Sequence, residues 1–306
     1  MLYDQLARNR RMTVVLFACC ALVVFGVAWA LDALFVGAGP ASAALIAALI
    51  AAVTLSVAWF AADRVVLSAL RARPPRGDDP AERNLDDIVA GVALAAGMPQ
   101  PQLYVVDDPA PNAFATGRSP DKGVVVFTSG LLEKMSRSQV EAVAAHELSH
   151  VANRDSMIGV LAAVLVGVIV ILSRLALRLL LSGGGRRRSG RGGASGPLLV
   201  VGLAVLVFAP LFGALLRFAI SRRREGLADA NAVRLTRNPD AMIGALQVLD
   251  ADRTSVDFAH GFAAHLWIEQ PHEPQPSWLD RMFSTHPPIA ERIRALRAIA
   301  GDLRLR

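Results

Sequence analysis

The run His146-Glu147-Leu148-Ser149-His150 sets two imidazoles and a carboxylate in an H-E-x-x-H pattern, and on a helix that spacing has a mechanical meaning. Residues four apart lie one turn apart on the same face. His146 and His150 can therefore present both rings to one tetrahedral zinc at about 2.0 to 2.1 Å. Glu147 then projects beside the metal, where it can take a proton from a water whose pKa zinc lowers from about 15.7 toward 7. The chemistry expected of the pattern is metal-assisted hydrolysis of a peptide bond. The chain has only six histidines, so chance placement of two at this spacing is a poor competing account.

A catalytic zinc commonly takes three protein ligands, so a further donor is required. Glu225 is the best candidate. It stands in Ser221-Arg222-Arg223-Arg224-Glu225-Gly226-Leu227-Ala228-Asp229, in a segment that can continue as helix. Glu225 and Asp229 are four apart and share a face, which lets one carboxylate bind the metal while the other holds a ligand histidine by its second ring nitrogen. Read alone, the pair is more readily a solvated helix face matched to the nearby arginines.

The elements that must position these groups are also visible. Ser136 and Gln139 have capping-box spacing, and Val140, Val143, Ala144, Leu148 and Val151 recur at helical intervals, which predicts a helix to about Asn153. Upstream, a Pro- and Asp-rich linker from Pro74 to Pro80 opens a globular α/β segment. Asn84 to Ala96 predicts an amphipathic helix ended by Gly97. Leu103 to Val106 and Gly123 to Phe127 predict strands, the second of buried β-branched character, and Ser129 and Gly130 open a short helix through Lys134. Asn112 followed by Gly117 reads as a turn.

With 54% hydrophobic residues and a mean hydropathy of +0.42, the chain is too apolar for an ordinary soluble protein. Four stretches reach the roughly 20 apolar residues that a bilayer crossing needs: Thr13 to Leu31, Ala41 to Ala62, Met157 to Leu181 and Pro197 to Ile220. The expected organisation is a cytoplasmic N-terminus (1–12), a transmembrane hairpin (13–62), the first half of a catalytic domain (63–156), a second apolar hairpin (157–220) and the second half of the domain (221–306). Arg8, Arg10 and Arg11 precede the first span, Arg64, Arg71, Arg73 and Arg76 follow the second, and the connector from Asp32 to Pro40 has no Lys or Arg. That asymmetry puts the H-E-x-x-H segment on the cytoplasmic side. The Gly- and Arg-rich connector 182–197 either crosses with its hairpin or belongs to a re-entrant pair; zero or two crossings return the chain to the same side.

The net charge of +6 comes from basic residues beside apolar spans, which assigns them to anionic lipid headgroups rather than to nucleic acid. Cys19 and Cys20 are adjacent in the first span. They offer no disulfide framework and read as small apolar helix residues, with lipidation the alternative. His260, His265 and His272 have irregular spacing and read as surface or packing residues.

The joint pattern resembles the HtpX-type membrane zinc metalloproteases, relatives of the CAAX prenyl endoproteases. Four islands carry the resemblance: Asn112-Ala113-Phe114-Ala115-Thr116-Gly117, His146 to His150, Glu225 to Asp229 after Ser221-Arg222, and Ser284-Thr285-His286-Pro287-Pro288 with Arg292. It implies an α-helical integral membrane protein with a mainly α (α+β) zincin-type domain, in which the H-E-x-x-H helix and a second ligand helix face a cleft with a small β-sheet beside it. It further implies one zinc per chain held by His146, His150 and Glu225, Glu147 as general base and Asp229 behind the ligands. By the same resemblance Asn112 lies beside the substrate cleft, the strand from Gly123 to Phe127 pairs with an extended peptide, and His286 helps stabilise the oxyanion. The implied role is cleavage of misfolded or damaged membrane proteins at the bacterial cytoplasmic (inner) membrane, with a membrane regulatory or protease complex as a further partner.

Two other readings use the same residues. One narrows the substrate to a C-terminal prenylated peptide. The other keeps the fold as a membrane adaptor that does not cleave, against which an intact ligand set with its base argues.

Overall fold

The computed structural model describes residues 40–154, 222–252, 254, 268 and 288–304, with scattered positions between 11 and 25. Cys19, Cys20 and most of the expected span 13–31 lie outside the described residues, as do the hairpin 157–220 with its connector and His260, His265, His272 and His286.

Two helices lead in, α1 (Pro40–Phe60) and α2 (Ala62–Ala69). The side chains of α1 are described only in part, and over the described residues no helix is long and apolar enough to cross a membrane. Leu45, Leu49 and Val53, spaced four apart along α1, are exposed at 72%, 64% and 55%. Helix α3 (Pro80–Ala96) begins a turn earlier than its apolar periodicity predicts. Asp79 caps it by accepting from the Ala81 N–H at 2.8 Å, and Pro80 occupies the first turn, where its missing N–H costs nothing. Residues 74–78 are coil and turn, as a linker should be, and only its last two residues, Asp79 and Pro80, form the helix start. Gly97, at φ 65°, closes the other end as expected.

Strands β1 (Gln102–Val106), β2 (Ala113–Thr116) and β3 (Val124–Thr128) form one sheet in the order β1-β3-β2. β3 runs parallel to β1, with Val105 beside Phe127, and antiparallel to β2, with Phe114 beside Val126. Two expectations need correction. Asn112 to Gly117 is not simply a turn, because residues 113–116 are a strand. Nor is the strand from Gly123 to Phe127 available to a peptide, since it is the centre of the sheet with both sides paired; among the described residues the outer side of β2 carries only the Ile268 N–H, on the Ala113 carbonyl. Thr128 ties β2 on. Its N–H donates to the Asn112 carbonyl at 3.0 Å, and its hydroxyl accepts the Asn112 N–H at 2.8 Å. Gly117 ends β2 at φ 119°, where a Cβ would stand 2.2 Å from the Lys122 carbonyl oxygen, so no other residue fits.

Alternation along the strands makes two layers. Val105, Ala113, Ala115, Val125 and Phe127 join the main core, while Val106, Phe114, Val124 and Val126 pack with Val66 and Leu67 of α2, and with Leu70 just after it, on the other face. After β3, the Thr128 hydroxyl caps the short α4 (Ser129–Lys134). Helix α5 (Arg137–Ala152) starts in the expected capping box between Ser136 and Gln139. It is the central helix, buried on nearly every side from Val140 to Val151. Around it pack α3, α6 (Arg222–Thr236), α7 (Pro239–Ala251) and the sheet, with α8 (Ile289–Arg304) against α6 and α7. Leu85, Phe127, Leu131, Leu148, Met242, Leu246 and Leu296 are the large side chains that fill this core.

Candidate metal centre

Helices α5 and α6 meet along small residues. Ala142 and Ala145 of α5 and Ala228 and Ala232 of α6 are essentially inaccessible, so the two backbones approach closely enough for short carboxylates to reach the opposite imidazoles. The i, i+4 geometry puts His146 and His150 on one face of α5, with ring centroids 4.8 Å apart at 80°. Glu225 and Asp229 come to them from α6.

The donor distances are those a single cation needs. Nε2 of His146 lies 3.2 Å from Nε2 of His150, and the two Glu225 oxygens stand 3.7 Å from His146 Nε2 and 3.6 Å from His150 Nε2. Ligands at about 2.0 to 2.1 Å from a tetrahedral centre sit roughly 3.3 to 3.4 Å from one another. His146, His150 and Glu225 are also the one such cluster of potential metal donors among the described residues.

Charge makes the same demand. Among the described residues, Glu147, Glu225 and Asp229 are buried with Arg224 and Arg292 as the buried cations, and an excess of buried negative charge is costly unless a cation compensates it. A divalent ion on the three donors does so.

Behind the donors, Asp229 Oδ1 lies 3.0 Å from His146 Nδ1. A proton on Nδ1 satisfies that contact and leaves the Nε2 lone pair for a metal. Arg292 of α8 grips Asp229 with both arms of its guanidinium, Nε to Oδ2 at 2.9 Å and Nη2 to Oδ1 at 2.7 Å, and its Nη1 lies 3.9 Å from Glu225 Oε2. Burial alone would raise the Asp229 carboxyl; the Arg292 charge and hydrogen bonds, helped by His146, bring it down to about 2 instead.

A family model described as Peptidase family M48 matches residues 80–300. The chain belongs to peptidase family M48. As an M48 peptidase it is a metallopeptidase, and its relatives align over nearly their whole length. A "Protease HtpX homolog" of Listeria monocytogenes is 38% identical over 304 residues, covering 97% of this chain and 99% of that one. Proteins with the same description from Dictyoglomus thermophilum and Streptococcus thermophilus are 38% and 39% identical, covering 99% and 97% of this chain and 96% and 99% of theirs. Among solved structures, S. mikatae Ste24p matches with a TM-score of 0.47 at 17% identity, over 95% of this chain and 66% of that one.

Of the residues singled out in this M48 peptidase by sequence, His146, His150, Glu225 and Asp229 converge, and Glu147 is buried beside them in α5. Asn112 is not in the donor cluster. It stands at the head of β2, its amide oxygen accepting the Ala113 N–H at 3.1 Å. His286 lies outside the described residues. Arg292 was given no role by sequence, since an arginine on an amphipathic helix ordinarily reads as a solvated position. Its place just after Ser284-Thr285-His286-Pro287-Pro288 was the only signal.

Proposed function

We propose that this M48 peptidase is a zinc endopeptidase of the bacterial cytoplasmic membrane, facing the cytoplasm and cleaving misfolded or damaged membrane proteins. The observation that carries the proposal is the triangle of buried His146, half-buried His150 and buried Glu225, with edges of 3.2 to 3.7 Å. These two imidazoles and one carboxylate are the donor set of catalytic zinc sites that keep a further position open. When bound, zinc supplies Lewis acidity, polarising a peptide carbonyl and lowering the pKa of water.

The rest belongs to this chain's own side chains. Glu147 receives the proton of the attacking water on its carboxylate and returns it to the nitrogen of the leaving amine. Asp229, fixed by Arg292, holds the His146 ring and its tautomer. His286 is assigned as a donor to the oxyanion, beside the substrate.

Substrate positioning falls to β2. Asn112 pairs with Thr128 across the ladder, and antiparallel hydrogen bonding alternates, so Phe114 and Thr116 point their backbone groups at β3 while Ala113 and Ala115 point theirs outward. The Ala113 groups are taken, the carbonyl by the Ile268 N–H at 2.9 Å and the N–H by Asn112. The outward N–H and C=O of Ala115 suit an extended peptide added as a further strand. Asn112, by fixing the head of this edge, is the substrate-binding residue. Ala113 and Ala115 of β2 belong to the same core as α5, and their small side chains favour a short reach from bound peptide to donors.

Membrane attachment rests on the apolar sequence and on the exposed Leu45, Leu49 and Val53 of α1. Span 13–62 and hairpin 157–220 are then the membrane-embedded parts, 63–156 and 221–306 the two halves of the peptidase domain. The metal is tested by stripping detergent-purified protein with a chelator. Casein cleavage should return with about one zinc per chain and not with magnesium or calcium, which prefer oxygen ligands. Full cleavage by stripped protein would overturn the zinc assignment.

A further inference from the structure

A cavity of about 330 Å³ opens where α1 meets the sheet, away from the metal donors. Its lining combines Trp59 and Phe60 at the end of α1, Arg64 at the start of α2, Thr116 at the end of β2, and Arg118 and Lys122 in the following loop. Asp63 and Asp121 share the lining. None of the three cations is joined to either carboxylate by an ion pair among the described residues. The Arg118 guanidinium instead lies over the Phe60 ring, 5.4 Å from its centroid, a contact that leaves its hydrogen-bonding edge free for a ligand. A second observation points the same way. The Thr116 hydroxyl, on a side chain with no exposure, has no hydrogen-bond partner among the described residues, although a buried hydroxyl ordinarily has one.

We infer that this cavity binds the phosphodiester headgroup of an anionic membrane lipid. Three cations against two carboxylates leave one positive charge, which matches the single negative charge of a phosphodiester better than the near-double charge of free phosphate. The place fits as well. Trp59 is an aromatic residue of the kind expected at a membrane–water boundary, and Arg64 follows a turn later. The exposed Leu45, Leu49 and Val53 on the same helix offer the acyl chains apolar surface further from the headgroup. The cavity ends at Thr116 and Gly117, the last residues of the edge strand, so a bound lipid anchors the end of that strand at the bilayer surface. This rests on the membrane reading above.

The test uses the full chain in detergent with an equimolar mixture of phosphatidylglycerol and phosphatidylcholine, counting retained lipid by native mass spectrometry. Wild type should retain phosphatidylglycerol preferentially, and the double variant Arg118→Gln, Lys122→Gln should lose roughly twentyfold, about fivefold for each charge removed near a membrane surface. Thr116→Val, which keeps the shape, should lose less but measurably. Casein cleavage in detergent should be unchanged in the double variant, and the thermal midpoint unchanged in both variants, which shows that they are folded. Undiminished retention of phosphatidylglycerol by the double variant overturns the proposal, as does its displacement by excess inorganic phosphate. Wild type that floats with vesicles but shows no headgroup preference also overturns it and leaves the membrane reading intact. Wild type that does not float with vesicles at all removes both.

Discussion

Arg292 holds Asp229 through two hydrogen bonds of 2.7 and 2.9 Å, and the same Asp229 carboxylate meets the Nδ1 of His146. A residue near the end of the chain thereby sets the ring orientation of a metal-ligand candidate in its middle. The guanidinium fork matters here, because one arm of Arg292 serves each Asp229 oxygen while the third nitrogen faces Glu225.

Arg292→Gln should therefore damage both metal binding and stability. Loss of such a supporting contact costs about 10- to 100-fold in metal affinity, and removing one partner of a buried pair destabilises by about 3 to 5 kcal/mol. Arg292→Lys keeps the charge but not the fork and should fall between. Competition with a fluorescent zinc chelator, together with the thermal midpoint, measures both. Wild-type zinc affinity in Arg292→Gln would show that the contact does not support the metal site.

Ala115→Pro removes the one outward N–H of β2 that no described group uses. Proline is tolerated where an edge strand faces away from its neighbour, so zinc content and thermal midpoint should stay close to wild type. Peptide cleavage should fall by about tenfold, the cost of a backbone hydrogen bond with its partner left unmade, and chiefly in kcat/KM. Unchanged kcat/KM would remove strand addition at β2 from the account.

Acid sensitivity should trace to the clasp around Arg73. This residue bridges to Val105 of β1 through its backbone and reaches Glu82 of α3 at 2.7 and 2.9 Å and Asp107 at 3.0 Å through its side chain. The hydrogen bond from Arg73 holds the Glu82 carboxyl below its ordinary value, against a burial effect of the opposite sign, and a separate hydrogen bond from Arg73 lowers the more exposed Asp107. A carboxyl depressed in the folded state contributes stability above its unfolded pKa, and that contribution fades as pH falls through the folded value. The thermal midpoint should thus drop as pH falls below about 4.5, where unfolded Glu begins to protonate. Arg73→Gln should lower the midpoint at neutral pH by the equivalent of about 1 to 3 kcal/mol, mainly through buried Glu82, and flatten the acid dependence. An acid slope as steep in Arg73→Gln as in wild type would place the titrating groups elsewhere.

What the sequence showed and what it hid divide along local and tertiary lines. The H-E-x-x-H helix was legible because its signals are local: Ser136 and Gln139 three apart, His146 and His150 four apart, and apolar residues at helical intervals. Glu225 and Asp229 were legible as a pair sharing a face, and the α5–α6 contact that brings them to the histidines followed from the need for a further ligand. Strand β2 was hidden because Ala-Phe-Ala-Thr has little β-branched character; Thr128, a dozen residues downstream, makes it a strand. The continuous Val124-Val125-Val126-Phe127 run did announce a strand buried on both faces. Such a strand is the centre of a sheet, and the peptide edge was therefore to be sought beside it. The role of Arg292 was hidden because its partner is 63 positions away, and its place after Ser284-Thr285-His286-Pro287-Pro288 marks the residue without saying what it holds.

The central claim is that Glu147 acts as the base beside a metal held by His146, His150 and Glu225. The most direct measurement compares casein cleavage by zinc-loaded wild type and Glu147→Gln, with zinc content assayed in both. The account predicts about one zinc per chain in each protein and a rate lower by several orders of magnitude in Glu147→Gln. Cleavage at the wild-type rate by zinc-loaded Glu147→Gln would contradict it.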